Sequence, residues 1–78
     1  MDDIYRTNIC GVDISLRTTE STEYTDMLVE QVRERVRDVI QEGKVPVHKA
    51  AMLAGIVLCD ELQKARAEIA SLKTRLGR

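Results

Sequence analysis

PVHKAAMLAGIVLCDELQKARAEIASLKTRL, residues 46–76, reads as one long helix, and its apolar stripe decides the fold. Val47, Ala51, Ala54, Leu58, Leu62, Ala65, Ile69, Leu72 and Leu76 recur at intervals of three or four, which keeps them on one side of a helix. From Leu62 the spacing is a plain heptad seam, with Leu62, Ile69 and Leu76 at a-type and Ala65 and Leu72 at d-type positions. Lys64, Arg66, Glu68, Lys73 and Arg75 fall off the stripe and stay hydrated. Upstream, Ala54–Leu58–Leu62 contains a second interval of four, so Ala51 to Leu62 behaves as an eleven-residue repeat that locally straightens the supercoil. A chain of 78 residues cannot cover this stripe with its own remaining elements. The helix is therefore expected to hold another chain.

Small residues gather in its first half: Ala50, Ala51, Ala54, Gly55 and Cys59. A glycine inside a helix costs roughly 1 kcal/mol relative to alanine, so Gly55 is expected where a second backbone comes close. The predicted dimer interface comprises Ala51, Ala54, Gly55, Leu58, Leu62, Ala65, Ile69, Leu72 and Leu76. At this length a monomer hides only about 60% of its unfolded surface, which also favours a partner.

The preceding residues form a head. Val12, Ile14 and Leu16 alternate with Asp13, Ser15 and Arg17, the period of a half-buried strand, and Tyr5, Thr7 and Ile9 alternate before it. Cys10-Gly11 serves as a two-residue hairpin loop, pairing Ile9 with Val12, Thr7 with Ile14 and Tyr5 with Leu16 on one face. A lone hairpin is marginal in water, so a helix must cover that face. Ser21 is the expected N-cap of this helix, Leu28, Val32, Val36, Val39 and Ile40 its inward stripe, and Asp26, Glu30, Arg33, Arg37 and Gln41 its outer face. Gly43 closes it and Pro46 begins the next. The fold class is thus α+β: an N-terminal β-hairpin, one amphipathic helix, then one long C-terminal helix forming a dimeric coiled coil. Residues 1–45 make the head and 46–78 the dimerisation helix.

Composition narrows the function. There is no Trp or Phe, and Tyr5 and Tyr24 are the aromatic residues, so stacking platforms for bases and pockets for cofactors are poorly supplied. His48, the one histidine, has no nucleophile or metal-ligand partner at a recognised spacing. Asp60 and Glu61 are adjacent and diverge on a helix, and no glycine-rich phosphate loop occurs. Cys10 and Cys59 form no ligand cluster and suit small buried apolar sites. We expect neither catalysis, nor a cofactor or metal, nor a small-molecule substrate. No run of eighteen apolar residues occurs, and Met1-Asp2-Asp3 has the wrong charge for a secretory leader, which points to the cytoplasm and away from a membrane. The net charge of −1 conceals an acidic head and a basic long helix. Basic residues late in a helix complement its dipole, so no nucleic-acid footprint is inferred. Exposure and charge make Arg17, Arg33 and Arg37 the candidate contacts for an acidic partner surface.

The order of elements and several segments resemble the ZapA family of bacterial cell-division proteins. Ile9-Cys10-Gly11-Val12-Asp13-Ile14-Ser15-Leu16-Arg17 is similar to the family hairpin, roughly I-x-G-x-x-Y-x-L-R, with Ile14 in place of the usual Tyr. Ser21-Thr22-Glu23-Tyr24 resembles the D-P-E-Y helix start, and Val47 through Leu62 the segment V-A-V-L-A-A-L-N-x-A-D-E-L, with Gly55 and Cys59 at commoner alanine positions. The resemblance implies a non-enzymatic adapter that binds FtsZ, the tubulin-like GTPase of the division ring, and aligns its filaments at mid-cell. It also implies self-assembly as a dimer, or as a tetramer through longer coiled coils. Rival readings are a dimeric DNA-binding regulator of the ribbon-helix-helix type, with Arg6 and Asn8 reading bases, and a generic coiled-coil scaffold.

The seam generates its own test. Ile69→Glu places a charge in apolar surroundings and is expected to weaken self-association; a parent protein that sediments as a monomer would refute the seam.

Overall fold

The computed structural model describes residues 3–77. Strands β1 (Asp3–Ile9) and β2 (Val12–Thr18) form an antiparallel hairpin, followed by α1 (Thr22–Gly43) and α2 (Val47–Leu76). The register pairs Ile9 with Val12, Thr7 with Ile14 and Tyr5 with Leu16, as the alternation predicts. Cys10 and Gly11 both have positive φ, 50° and 89°, the signature of the type I′ turn whose twist suits a two-residue hairpin. Asn8 secures the turn, its amide oxygen accepting from Gly11 N at 3.0 Å while its Nδ2 donates to Asp13 at 2.8 Å. A cysteine tolerates the left-handed position here because its side chain packs against the central core.

Ser21 is the N-cap of α1, accepting from Tyr24 N at 3.2 Å, as expected. At the other end the left-handed residue is Lys44, φ 50° and ψ 43°, rather than Gly43, which remains helical; the Lys44 N–H reaches Ile40 O at 2.8 Å. Pro46 sits at the N-cap of α2 with extended ψ of 158°, not within the first turn, and offers no side-chain cap. The short Lys44–Pro46 connection folds α2 back along α1.

The contact between the helices is Val36 against Ala50 and Ala54, exposed by 2%, 0% and 2%. Alanines at this crossing let two backbones approach without leaving a gap. Val32, Val39, Ile40, Val45 and Cys10 close around it. Arg35 Nη2 donates to Glu61 Oε1 at 2.7 Å further along the pair, an exposed bridge worth at most about 1 kcal/mol. Beyond Glu61 every described α2 residue is exposed, so about 22 Å of helix projects from the rest.

The buried face of α1 differs from the stripe expected. Thr25, Val29 and Val36 are its buried residues, whereas Leu28 is 40% exposed. The reason is that α1 meets two elements: its first half turns toward β1 and its second toward α2. The radius of gyration is 15.9 Å, against about 11.5 Å for a compact chain of this length.

Val36 holds the helix pair, so Val36→Ala is expected to lower stability by about 2 kcal/mol through the cavity it leaves, read from urea unfolding at fixed protein concentration.

Candidate assembly and partner-binding surfaces

Three attachments hold the hairpin to α1. At the tip, Ile9 is buried at 8% exposure and Cys10 rests on the helix pair. Midway, Arg33 Nη2 donates to Asn8 O at 2.9 Å and Thr7 Oγ1 at 3.3 Å, while Nη1 pairs with Glu30. Near the base, the Tyr5 hydroxyl donates to Asp26. Exposed Asp26 and half-buried Arg33, two turns apart, therefore each bond β1 from the face of α1 predicted to be free in solvent, and the Arg33 guanidinium is partly committed to holding the hairpin. Their hydrogen bonds satisfy backbone and hydroxyl groups that an apolar flank would leave unpaired.

The backbone of α1 approaches β1 but not β2, so β2 overhangs the helices. Two apolar grooves lie beneath it. One, of about 220 Å³, is lined by Ile14, Leu16, Leu28, Val29 and Val32 among others. The second, about 190 Å³, continues past Ile9, Val12 and Val36 to Val47, His48 and Ala51 at the start of α2.

The predicted assembly stripe divides. Leu62, Ile69, Leu72 and Leu76 are exposed by 47%, 52%, 45% and 81%, Ala65 is exposed, and Leu58 is half-buried. Ala51 is exposed at the mouth of the second groove. Ala54 instead belongs to the intrachain core, because α1 occupies its side of α2. Gly55 is exposed, and a Cβ built there would meet nothing within 4 Å, so its own chain gives no reason for a glycine. Cys59, expected to be buried, is exposed, and both cysteines are free thiols. Sequence periodicity missed a second apolar face: Met52 is 74% and Ile56 66% exposed, on the side of α2 turned away from α1. The signal was present in the unbroken apolar run Ala50 to Cys59, since a helix apolar all round asks to be covered all round. Arg17, at the open end of β2 opposite Ile4, and Arg37 on α1 are exposed.

Among the described residues no group of three or more His, Cys, Asp or Glu could hold a metal ion, and no described helix is long and apolar enough to cross a membrane. Tyr5 titrates above its ordinary value, first because its hydroxyl donates to Asp26, then through burial and the nearby negative charge.

A hairpin clamped to one helix, with a second helix running on past it bare and apolar, defines a protein of the small hairpin-and-rod class built to expose a long apolar stripe. The family model for cell division protein ZapA matches residues 6–77. The chain therefore belongs to the ZapA family and is a cell-division protein of that type. Its fold is similar to a solved structure described as a ZapA mutant dimer from Geobacillus stearothermophilus, with a TM-score of 0.79 at 19% identity, covering 100% of this chain and 92% of that one. No curated protein sequence matches the chain.

A tyrosine whose pKa is raised on folding stabilises the fold fully below its unfolded value near 10, and that contribution is lost as pH rises through the raised value. Tyr5→Phe is expected to flatten the alkaline decline in stability above pH 10, measured by thermal melts across pH 8–11.5; equal declines would show that the Tyr5–Asp26 contact does not couple to folding.

Proposed function

We propose that this protein is a non-enzymatic adapter that binds FtsZ at the division site and cross-links its filaments. Self-association along α2 supplies two or more heads per particle, and each head makes a weak contact. Joining weak contacts through one rigid particle raises the effective concentration of the second contact once the first has formed, so modest affinities suffice for bundling. The observation that carries this reading is the family match over residues 6–77 combined with the exposed Leu62–Leu76 seam. The dimeric state described for the similar Geobacillus protein agrees with it.

The exposed arginines are the contacts this reading assigns to an acidic filament surface. Arg17 and Arg37 carry that role, whereas Arg33 acts by holding the hairpin in place. Long-range attraction between such charges and an acidic partner is screened by salt, so binding should weaken as ionic strength rises.

Co-sedimentation with the matching FtsZ and GTP, read beside light scattering, tests the proposal: the adapter is expected in the pellet and scattering is expected to rise. A folded, self-associated protein that stays in the supernatant would refute FtsZ as its partner. Arg17→Glu combined with Arg37→Glu is expected to weaken pelleting several-fold while leaving self-association intact, and full binding by that variant would move the contact elsewhere.

A further inference from the structure

Each strand of a two-stranded sheet has one paired edge and one open edge. β1 turns its open edge to α1, whose backbone approaches it and whose Arg33 Nη2 donates to Asn8 O at 2.9 Å. β2 has no such neighbour: among the described residues it pairs with β1 and with nothing on its other side. The register identifies the backbone groups left there. In a two-residue hairpin the residues flanking the loop, Ile9 and Val12, bond each other, and every second pair beyond them does the same, Thr7 with Ile14 and Tyr5 with Leu16. The N–H and C=O groups of Asp13, Ser15 and Arg17 therefore point away from β1. Asn8, the register partner of Asp13, agrees with this phase, because its outward carbonyl is the one that Arg33 takes.

Open edges are normally blunted by a proline, a lysine, a bulge or a covering element, since their unpaired groups invite another chain. Residues 12–18, VDISLRT, contain neither Pro nor Lys, and the register passes along them without a bulge. At seven residues the edge is about 23 Å long.

We propose that the open edge of β2 receives an extended, acidic segment of FtsZ as a third strand. This rests on the reading of the protein as an FtsZ-binding adapter and adds how the head grips. Charge selects the occupant. Arg6, opposite Ser15, and Arg17, opposite Ile4, are diagonal neighbours on the solvent face of the hairpin; both are exposed, and among the described residues neither is in an ion pair. Asp13 on the same face already accepts from Asn8 Nδ2 at 2.8 Å. A strand laid beside β2 puts every second side chain on this face next to Arg17, where a carboxylate is favoured. Its other side chains fall beside Val12 and Leu16, exposed by 46% and 37%, where apolar groups are favoured. The segment that fits alternates acidic and apolar residues. A second copy adding through its own β2 would instead gather four arginines on one sheet face, against carboxylates already held by Asn8.

Ser15→Pro and residue-resolved hydrogen exchange, both on the full chain, test this. Proline at position 15 removes an outward N–H but no bond between β1 and β2, and an edge strand accommodates it; circular dichroism and sedimentation check that fold and self-association persist. Affinity for FtsZ, read by co-pelleting, is expected to fall at least about tenfold. On the parent protein, saturating FtsZ is expected to slow exchange of the Asp13, Ser15 and Arg17 amides at least about tenfold, the alternating pattern that a new strand imposes. Parent-like co-pelleting by a folded Ser15→Pro would overturn strand addition while leaving FtsZ binding itself standing. Unchanged exchange at the three amides in protein that pellets would overturn it in the same way and assign the contact to side chains alone. Amides already slow without FtsZ would overturn it by assigning the edge to a second copy. A parent protein that stays in the supernatant would remove FtsZ as partner, and this inference with it.

Discussion

Val36 between Ala50 and Ala54 is the contact on which the rest of the structure depends. It is where two helices touch with nothing larger than a valine between them, and it sets the rotation of α2 about its own axis. Once Ala50 and Ala54 are turned toward α1, the other positions are committed: Ala51 and Leu58 on one flank, leading into the seam, and Met52 and Ile56 on the opposite side of the helix. The same crossing supplies the surface on which Cys10 rests, so the hairpin tip is located by it as well. A larger residue at position 50 or 54 would separate the helices and displace both at once.

Legibility in the sequence followed the range of the interactions. The hairpin was readable in detail because strand alternation and a two-residue loop fix register locally, and Asn8 reinforces the turn from two positions before it. The cap at Ser21 and the extent of α2 were readable for the same reason. The rotation of α2 was not. Between Ala50 and Cys59 nearly every residue is apolar or small, so several stripes satisfy the same periodicity, and only tertiary packing chooses among them. Ala54 was assigned to the wrong partner on that account. Asp26 and Arg33 were read as solvated because charge on a helix normally is. Their hydrogen bonds to β1 depend on Tyr5, Thr7 and Asn8 coming within reach across the hairpin, which no helical pattern reveals. The coiled-coil dimer and the partner arginines rest on exposure and family, not on contacts within one chain.

The distribution of surface explains why such a protein would act by assembly. Its apolar area is exposed in long strips, not enclosed in pockets, and strips are covered by other chains more readily than by small molecules. Charged residues are kept to the flanks of α2 and the outside of the head, where they limit association to defined faces.

The bare helix beyond Glu61 has a bearing on evolution. It touches nothing in the head, so its length is free of the constraints that fix everything before it. Inserting or deleting one heptad would move the tip by about 10 Å while restoring the same face to the same direction. In an assembly that joins heads through this segment, spacing becomes a gauge adjustable in whole heptads, and a lineage can retune the distance between the things it tethers without changing how it grips them.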